Sequence, residues 1–96
     1  MQHDMEKEFD IPIEKFEMPP AIKITEPLKA KLYLDSRKGI MEEYRVCVNT
    51  ELFDNILWRT YDEREAKEDY KRALELTQQG KYTVKFKGNF YLLLME

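Results

Sequence analysis

The chain has 96 residues, of which 43% are hydrophobic and 36% are charged, and its formal net charge at pH 7 is −3. This size and balance predict one globular domain over 1–96 and exclude an intrinsically disordered chain. One cysteine and one histidine cannot supply a structural zinc site within the chain, and the longest apolar run, 90–95, is too short to cross a bilayer. We therefore expect a cytoplasmic protein with no cofactor and no membrane contact.

The N-terminal part of the chain is predicted to be irregular. We expect residues 1–8 to be frayed, with Met5 as an alternative start, and residues 9–27 to form an extended or irregular cover. The reason is that this segment holds all four prolines, which a central strand does not tolerate. Its apolar residues are the candidates for covering other elements: Phe9, Ile11, Ile13, Phe16 and Met18.

Two strands joined by the turn DSRKG are predicted next, because apolar and polar residues alternate in 28–34 and in 42–48. The residues expected to face inward are Leu28, Ala30, Leu32 and Leu34 in the first strand and Tyr44, Val46 and Val48 in the second. Cys47 lies within the second strand, where a small buried hydrophobic residue is a better interpretation than a reactive thiolate.

The stretch 50–58 is compatible with two structures. The sequence ILWRTY, at 56–61, is typical of a third strand that leads into a helix cap. The stretch could also form a helix with Asn49 or Thr50 as its cap, because four apolar residues have helical spacing: Leu52, Phe53, Ile56 and Leu57. We favour the strand and keep the helix as the alternative.

The clearest element is a long helix at about 62–79. Asp62 is a suitable N-cap, Glu65 follows three residues later, and Gly80 can adopt the left-handed conformation that ends many helices. Residues that recur at helical spacing form one narrow stripe along the helix: Ala66, Tyr70, Ala73, Leu74 and Thr77. Opposite charges four residues apart cover the remaining surface, so one side of the helix is expected to be buried and the rest solvated.

A hairpin is predicted after the helix, with Gly88-Asn89 as a two-residue type II′ turn. If Lys87 pairs with Phe90, one face of the hairpin is apolar and is the natural seat for the helix. That face consists of Tyr82, Val84, Phe86, Tyr91, Leu93 and Met95. The other face then carries a second apolar row, Phe90, Leu92 and Leu94, next to two lysines.

These elements predict an α+β fold, in which an antiparallel sheet of four to five strands carries the helix on one face. A single helix leaves the second face open, which is where the row Phe90, Leu92 and Leu94 is expected to lie. Exposing these three side chains forfeits roughly 1.5–3 kcal/mol each, so something is expected to cover them. The covers considered are the N-terminal segment, a protein partner or second copy of the chain, and nucleic acid.

Two candidate contact surfaces follow from this reasoning. A protein partner, or a second copy, is expected to contact the face or edge of the C-terminal hairpin through Phe90, Leu92, Leu94, Lys85, Lys87 and Tyr33. The alternative is single-stranded nucleic acid on a basic and aromatic sheet face formed by Lys29, Lys31, Tyr33, Arg45, Lys85, Lys87 and Phe90. Nucleic acid is the less favoured partner because the sequence pI is about 5.3, whereas such surfaces are strongly basic.

No motif for catalysis, metal binding or cofactor binding stands out from the sequence. His3 and Cys47 do not form a recognisable nucleophile–base pair, and the glycines Gly39, Gly80 and Gly88 all fit turns or caps rather than a phosphate loop. We therefore expect a non-catalytic protein–protein interaction or regulatory domain, without catalytic residues or metal ligands.

Overall fold

A computed structural model describes residues 5–17 and 24–96 of the chain. Its first four strands are β1 (Met5–Ile11), β2 (Leu28–Arg37), β3 (Glu43–Thr50) and β4 (Asp54–Thr60). They form one antiparallel sheet in the order β1-β2-β3-β4. The chain continues with the helix α1 (Glu63–Gln78) and the strands β5 (Tyr82–Lys87) and β6 (Phe90–Met95), which pair as a second, two-stranded sheet. The α+β fold with one helix against the main sheet is as predicted.

The core lies on one side of the four-stranded sheet, where the predicted alternation of β2 and β3 is confirmed. Leu32 and Val48 are directly opposite each other and are fully buried. Leu34 and Val46 form the next inward pair, so every second residue of each strand enters the same core. The burial of this row is what fixes the register, since a slip by one residue would expose it.

Residues 54–60 form a strand, so the favoured alternative for this stretch is confirmed. The β3–β4 register shifts between Val46, which pairs with Trp58, and Cys47, which pairs with Ile56. Leu57 is therefore an extra residue in β4, a β-bulge. The bulge breaks the period of two at Ile56 and Leu57, while Leu52 and Phe53, the other residues that fitted helical spacing, lie before β4 begins.

The helix α1 begins and ends where the sequence predicts. The carboxylate of Asp62 accepts hydrogen bonds from the backbone amides of Arg64, at 2.9 Å, and Glu65, at 3.3 Å. Gly80 follows the helix with a φ of +70°, a conformation that glycine adopts without a steric penalty. The residues of α1 that enter the core are small or aromatic: Ala66, Tyr70 and Ala73.

The helix packs against the four-stranded sheet, with its closest approach over β2, β3 and β4. This differs from the expected seat on the hairpin. The hairpin instead lies beside the helix on the same side of the sheet, where Tyr82 contacts Phe9 of β1 at 6.0 Å between ring centroids and Tyr91 contacts Phe53 at 6.2 Å. Helix and hairpin thus share one face of the sheet and form the second layer of the fold.

The N-terminal segment is more regular than expected. Met5–Ile11 form β1, which pairs along its whole length with β2, whereas the sequence led us to expect a frayed 1–8 and an irregular 9–27. The strand forms because Phe9 and Ile11 alternate with charged residues and point into the core, and it ends at Pro12. Phe9 and Ile11 are therefore core residues and do not cover Phe90. Residues 1–4 and 18–23, including Met18, lie outside the described part of the chain.

Candidate protein-interaction surface

The two faces of the C-terminal hairpin differ sharply in burial. Tyr91 and Leu93 of β6 are buried, whereas Phe90 is 54% exposed and Leu94 is 37% exposed. The predicted register is confirmed: Lys87 pairs with Phe90, Lys85 with Leu92, and Thr83 with Leu94. We call this side of the hairpin the outer hairpin face, which consists of Thr83, Lys85, Lys87, Phe90, Leu92 and Leu94. Five of the six predicted interface residues lie on it.

The turn that joins the two strands explains why the faces separate so cleanly. Gly88 has a φ of +69°, and no other residue between β5 and β6 has a positive φ. A positive φ at the first turn position alone is the requirement of a type II′ turn, as predicted, and its twist matches that of the flanking strands. The two-residue loop fixes the register, and the register places the apolar row of β6 beside the lysines of β5.

The edge of β6 that faces β4 is closed by the side chain of Asn55. The backbone amide of Leu93 donates to Oδ1 of Asn55 at 2.7 Å, and Nδ2 of Asn55 donates to the carbonyl oxygen of Tyr91 at 3.3 Å. One side-chain amide thus replaces the peptide group of a neighbouring strand. No sequence pattern singled out Asn55, because an Asp-Asn pair is equally typical of a turn.

The opposite edge of the hairpin, formed by β5, is also hydrogen-bonded within the chain. The backbone amide of Glu17 donates to the carbonyl oxygen of Val84 at 2.8 Å, and Phe16 forms a bridge to the same residue of β5. The carbonyl of Tyr91, the amide of Leu93 and the carbonyl of Val84 are therefore already hydrogen-bonded within the chain and are not free to pair with an added strand. Of the face and the edge that the sequence proposed, the geometry favours the face.

The outer hairpin face carries positive charge. Lys85 lies 3.8 Å from the carboxylate of Glu17, and both side chains are about half exposed. Within the described part of the chain, Lys81 and Lys87 form no ion pair. The surface is thus an apolar row on β6 flanked by a basic row on β5.

Tyr33 lies elsewhere, on the side of the four-stranded sheet that faces away from the helix and the hairpin. We call this side the open sheet face, and its central residues are Lys29, Lys31, Tyr33, Asp35, Arg45, Cys47 and Ile56. The alternative nucleic-acid face is therefore divided: Lys29, Lys31, Tyr33 and Arg45 share the open sheet face, and Lys85, Lys87 and Phe90 share the outer hairpin face.

The basic residues of the open sheet face have acidic neighbours. Lys31 lies 3.2 Å from Glu6 of β1, and Arg45 lies 2.6 Å from Asp35. Lys29 stands directly opposite Asp10 in the register of β1 and β2. Such alternating charges on neighbouring strands are typical of a solvated sheet face rather than of a phosphate-binding surface.

Tyr33 and Cys47 face each other across β2 and β3 in the middle of the open sheet face. The hydroxyl of Tyr33 lies 3.4 Å from the carboxylate of Asp54. Burial raises the pKa of Tyr33 above its usual range and raises the pKa of the Cys47 thiol to about 11. The thiol is therefore protonated at neutral pH, consistent with a buried structural cysteine.

A second exposed apolar group lies at the loop between β2 and β3, which the sequence analysis did not single out. Ile40 and Met41 are exposed there, near Tyr61, which lies between β4 and α1. Within the same small surface hollow lie Arg37, Lys38 and Glu43, so both signs of charge surround it. Its only sequence signal is an apolar pair directly after the turn residue Gly39.

In the described part of the chain, no three His, Cys, Asp or Glu side chains are arranged to hold a metal ion. Among the same residues, no helix combines the length and the apolar character needed to span a bilayer. The chain matches no protein-family model, no curated protein and no solved structure.

Proposed function

We propose that the protein is a small, non-catalytic interaction domain and that the outer hairpin face is its contact surface. The observation that carries this proposal is the exposure of Phe90 and Leu94 on the strand whose other side is core. Isolated exposed apolar residues are common on proteins, but a contiguous apolar row rimmed by charge is typical of a contact site. Burying an aromatic side chain stabilises by about 1.5–3 kcal/mol, so covering the exposed half of Phe90 contributes a useful part of a binding free energy.

The composition of the surface supports the same proposal. Interfaces between proteins place aromatic and aliphatic residues at the centre and polar residues at the rim. On the outer hairpin face Phe90 and Leu92 form the apolar centre, and Lys85, Lys87 and Thr83 border it on one side. A partner of this surface is another protein or a second copy of this chain.

Site-specific photo-crosslinking tests the proposal directly. A photoreactive benzoyl analogue of phenylalanine is placed at position 90 in cells that express the protein. The matched control carries the same analogue at position 56, because Ile56 is exposed to a similar extent on the open sheet face. We expect a covalent adduct with a protein from position 90 and none from position 56.

The same experiment distinguishes the two kinds of protein partner. An adduct with twice the mass of the chain would identify a second copy, and any other mass would identify a different protein. Equal adducts from both positions, or adducts from position 56 alone, would show that the outer hairpin face is not the contact surface.

A further inference from the structure

We infer that the partner of the outer hairpin face is a short amphipathic helix with acidic residues along one flank. This inference rests on the proposed function, and it names the chemistry of the partner. Three features of the hairpin lead to it: the closed edges, the dimensions of the face and the distribution of its charges.

Because backbone groups at both edges of the hairpin are already hydrogen-bonded, a partner must be bound through the side chains of the face. Strand addition needs a row of free backbone amides and carbonyl groups along an edge. On β6, the side chain of Asn55 already bonds the carbonyl of Tyr91 and the amide of Leu93. On β5, the backbone amide of Glu17 already bonds the carbonyl of Val84. A partner that contacts only the face must satisfy its own backbone hydrogen bonds, and an α-helix does so.

The dimensions of the face suit one helix. Two strands about 4.8 Å apart, with their side chains, form a strip about 10 Å wide, which is the diameter of a helix. The apolar row extends from Phe90 to Leu94, which is four residue steps, or about 13 Å at about 3.3 Å per residue. A helix covers this length with about nine residues, so a partner segment of two to three turns is sufficient.

The positive charges of the outer hairpin face favour a partner helix with acidic residues along one flank. Lys85 and Lys87 extend along β5, and Lys81 continues this exposed row before the strand begins. The stretch 81–96 holds these three lysines and one acid, Glu96, although the whole chain has a net charge of −3. A helix whose apolar stripe lies over β6 places one of its flanks over the lysines, where Glu and Asp are complementary.

A second copy of the chain does not meet these requirements. In a two-fold dimer of this surface, the lysine row lies over either the other lysine row or the apolar row, and the neighbouring acid Glu17 already pairs with Lys85 of its own chain. The helix α1 is not a substitute, because its apolar stripe at Ala66, Tyr70 and Ala73 is buried in the core. A different protein therefore supplies the helix.

Selection from a display library of random peptides tests the inference without assuming a partner. The full chain is the target, and the peptides have about 15 residues, enough for a helix of about nine residues and its ends. We expect the enriched peptides to repeat apolar residues at i, i+3 or i+4 and i+7, with Glu and Asp on one flank. Binding of a synthetic version should weaken as salt is added, since the lysines are exposed.

Variants of the target identify which feature is responsible. Lys85→Glu/Lys87→Glu should weaken the enriched acidic peptides about tenfold, because two attractive contacts become repulsive. The matched control Lys38→Glu/Lys71→Glu makes the same change in net charge at two exposed lysines outside the hairpin and should leave binding unchanged. Phe90→Lys/Leu94→Lys should abolish binding while the far-ultraviolet circular dichroism of the protein remains that of the wild type.

The possible outcomes separate this inference from the proposed function. Enriched peptides without acidic residues that still require Phe90 and Leu94 would overturn the acidic partner and leave the contact surface intact. Peptides with a period of two would overturn the helix in favour of a strand. Peptides that bind the Phe90→Lys/Leu94→Lys variant as well as the wild type would overturn both proposals.

Discussion

Asn55 links the two sheets of the protein through a single side chain. Its amide group donates to Tyr91 and accepts from Leu93, so it satisfies two backbone groups that would otherwise remain unpaired at the edge of β6. The pairing has a functional consequence, since a capped edge does not attract a further strand. It also fixes the position of the hairpin relative to β4, on which the exposure of the opposite face depends.

Replacing Asn55 should therefore loosen the hairpin. Asn55→Ala removes both hydrogen bonds and is expected to lower the free energy of unfolding by about 1–3 kcal/mol. Asn55→Asp retains the acceptor for Leu93 but lacks the donor for Tyr91, so an intermediate loss is expected. Urea unfolding measures both values, and Asn49→Ala, on an exposed position of β3, is the control. Equal stabilities of all three variants would show that the cap contributes nothing.

Cys47 provides a second test at the level of a single residue. Its pKa of about 11, raised by burial, means that very little thiolate forms in the folded protein at pH 8. A disulfide reagent should react with the native thiol at least about a hundredfold more slowly than with the thiol in denaturant, whose pKa is about 8.5. Similar rates in the two states would contradict the burial of Cys47.

The same raised pKa sets the sign of a pH effect on stability. Above about pH 8.5 the thiol of the unfolded chain ionises while that of the folded chain stays protonated. The stabilising contribution is therefore complete below that pH and is lost as the pH rises towards about 11. Cys47→Ala should remove this part of the alkaline loss of stability, as measured by urea unfolding at pH 8 and pH 10.

Among the secondary structure elements, α1 depends on the cap at Asp62. Only three residues of the helix are buried, two of them alanines, so its N-terminal hydrogen bonds matter more than they would beneath a large apolar face. Asp62→Ala should lower the free energy of unfolding by about 1 kcal/mol, because two backbone amides lose their acceptor. Asp62→Asn keeps an oxygen in place and should remain close to the wild type. A larger loss for Asn than for Ala in urea unfolding would exclude this explanation.

The elements could be predicted from the sequence to the extent that local patterns determine them. The alternation in β2, β3, β5 and β6 and the cap of α1 each depend on neighbouring residues, and all are confirmed. β1 was not predicted, because the four prolines of 9–27 suggested an irregular segment, whereas β1 itself contains none and ends just before Pro12. The bulge at Leu57 depends on packing across strands, which the sequence pattern alone does not reveal.

The candidate surface was predicted only in part, for the same physical reason. The hairpin register depends on a two-residue turn, so the row of Phe90, Leu92 and Leu94 with Lys85 and Lys87 could be identified from the sequence. Tyr33 was assigned to the same surface because one continuous sheet was assumed. Its actual position follows from the packing of two separate sheets, which involves contacts between residues that are distant in the sequence.

The whole molecule is built from two layers, of which the four-stranded sheet is one and α1 with the hairpin is the other. The open sheet face needs no cover, because its charges pair with each other across neighbouring strands. The outer hairpin face differs, since its apolar row has no such compensation within the described residues. We propose that β6 divides its residues between two tasks, with one side stabilising the fold and the other contacting a partner.

Two neighbouring substitutions on β6 test this claim most directly. Leu93 is 2% exposed and Leu94 is 37% exposed, so the same change to lysine is made in the core at one position and at a partly exposed surface site at the next. In urea unfolding, Leu94→Lys should change the free energy of unfolding by less than about 1 kcal/mol, whereas Leu93→Lys should lose several kcal/mol because it buries a charge. A Leu94→Lys protein as unstable as Leu93→Lys would show that this side of the hairpin is also core, and the contact surface proposed for it would not exist.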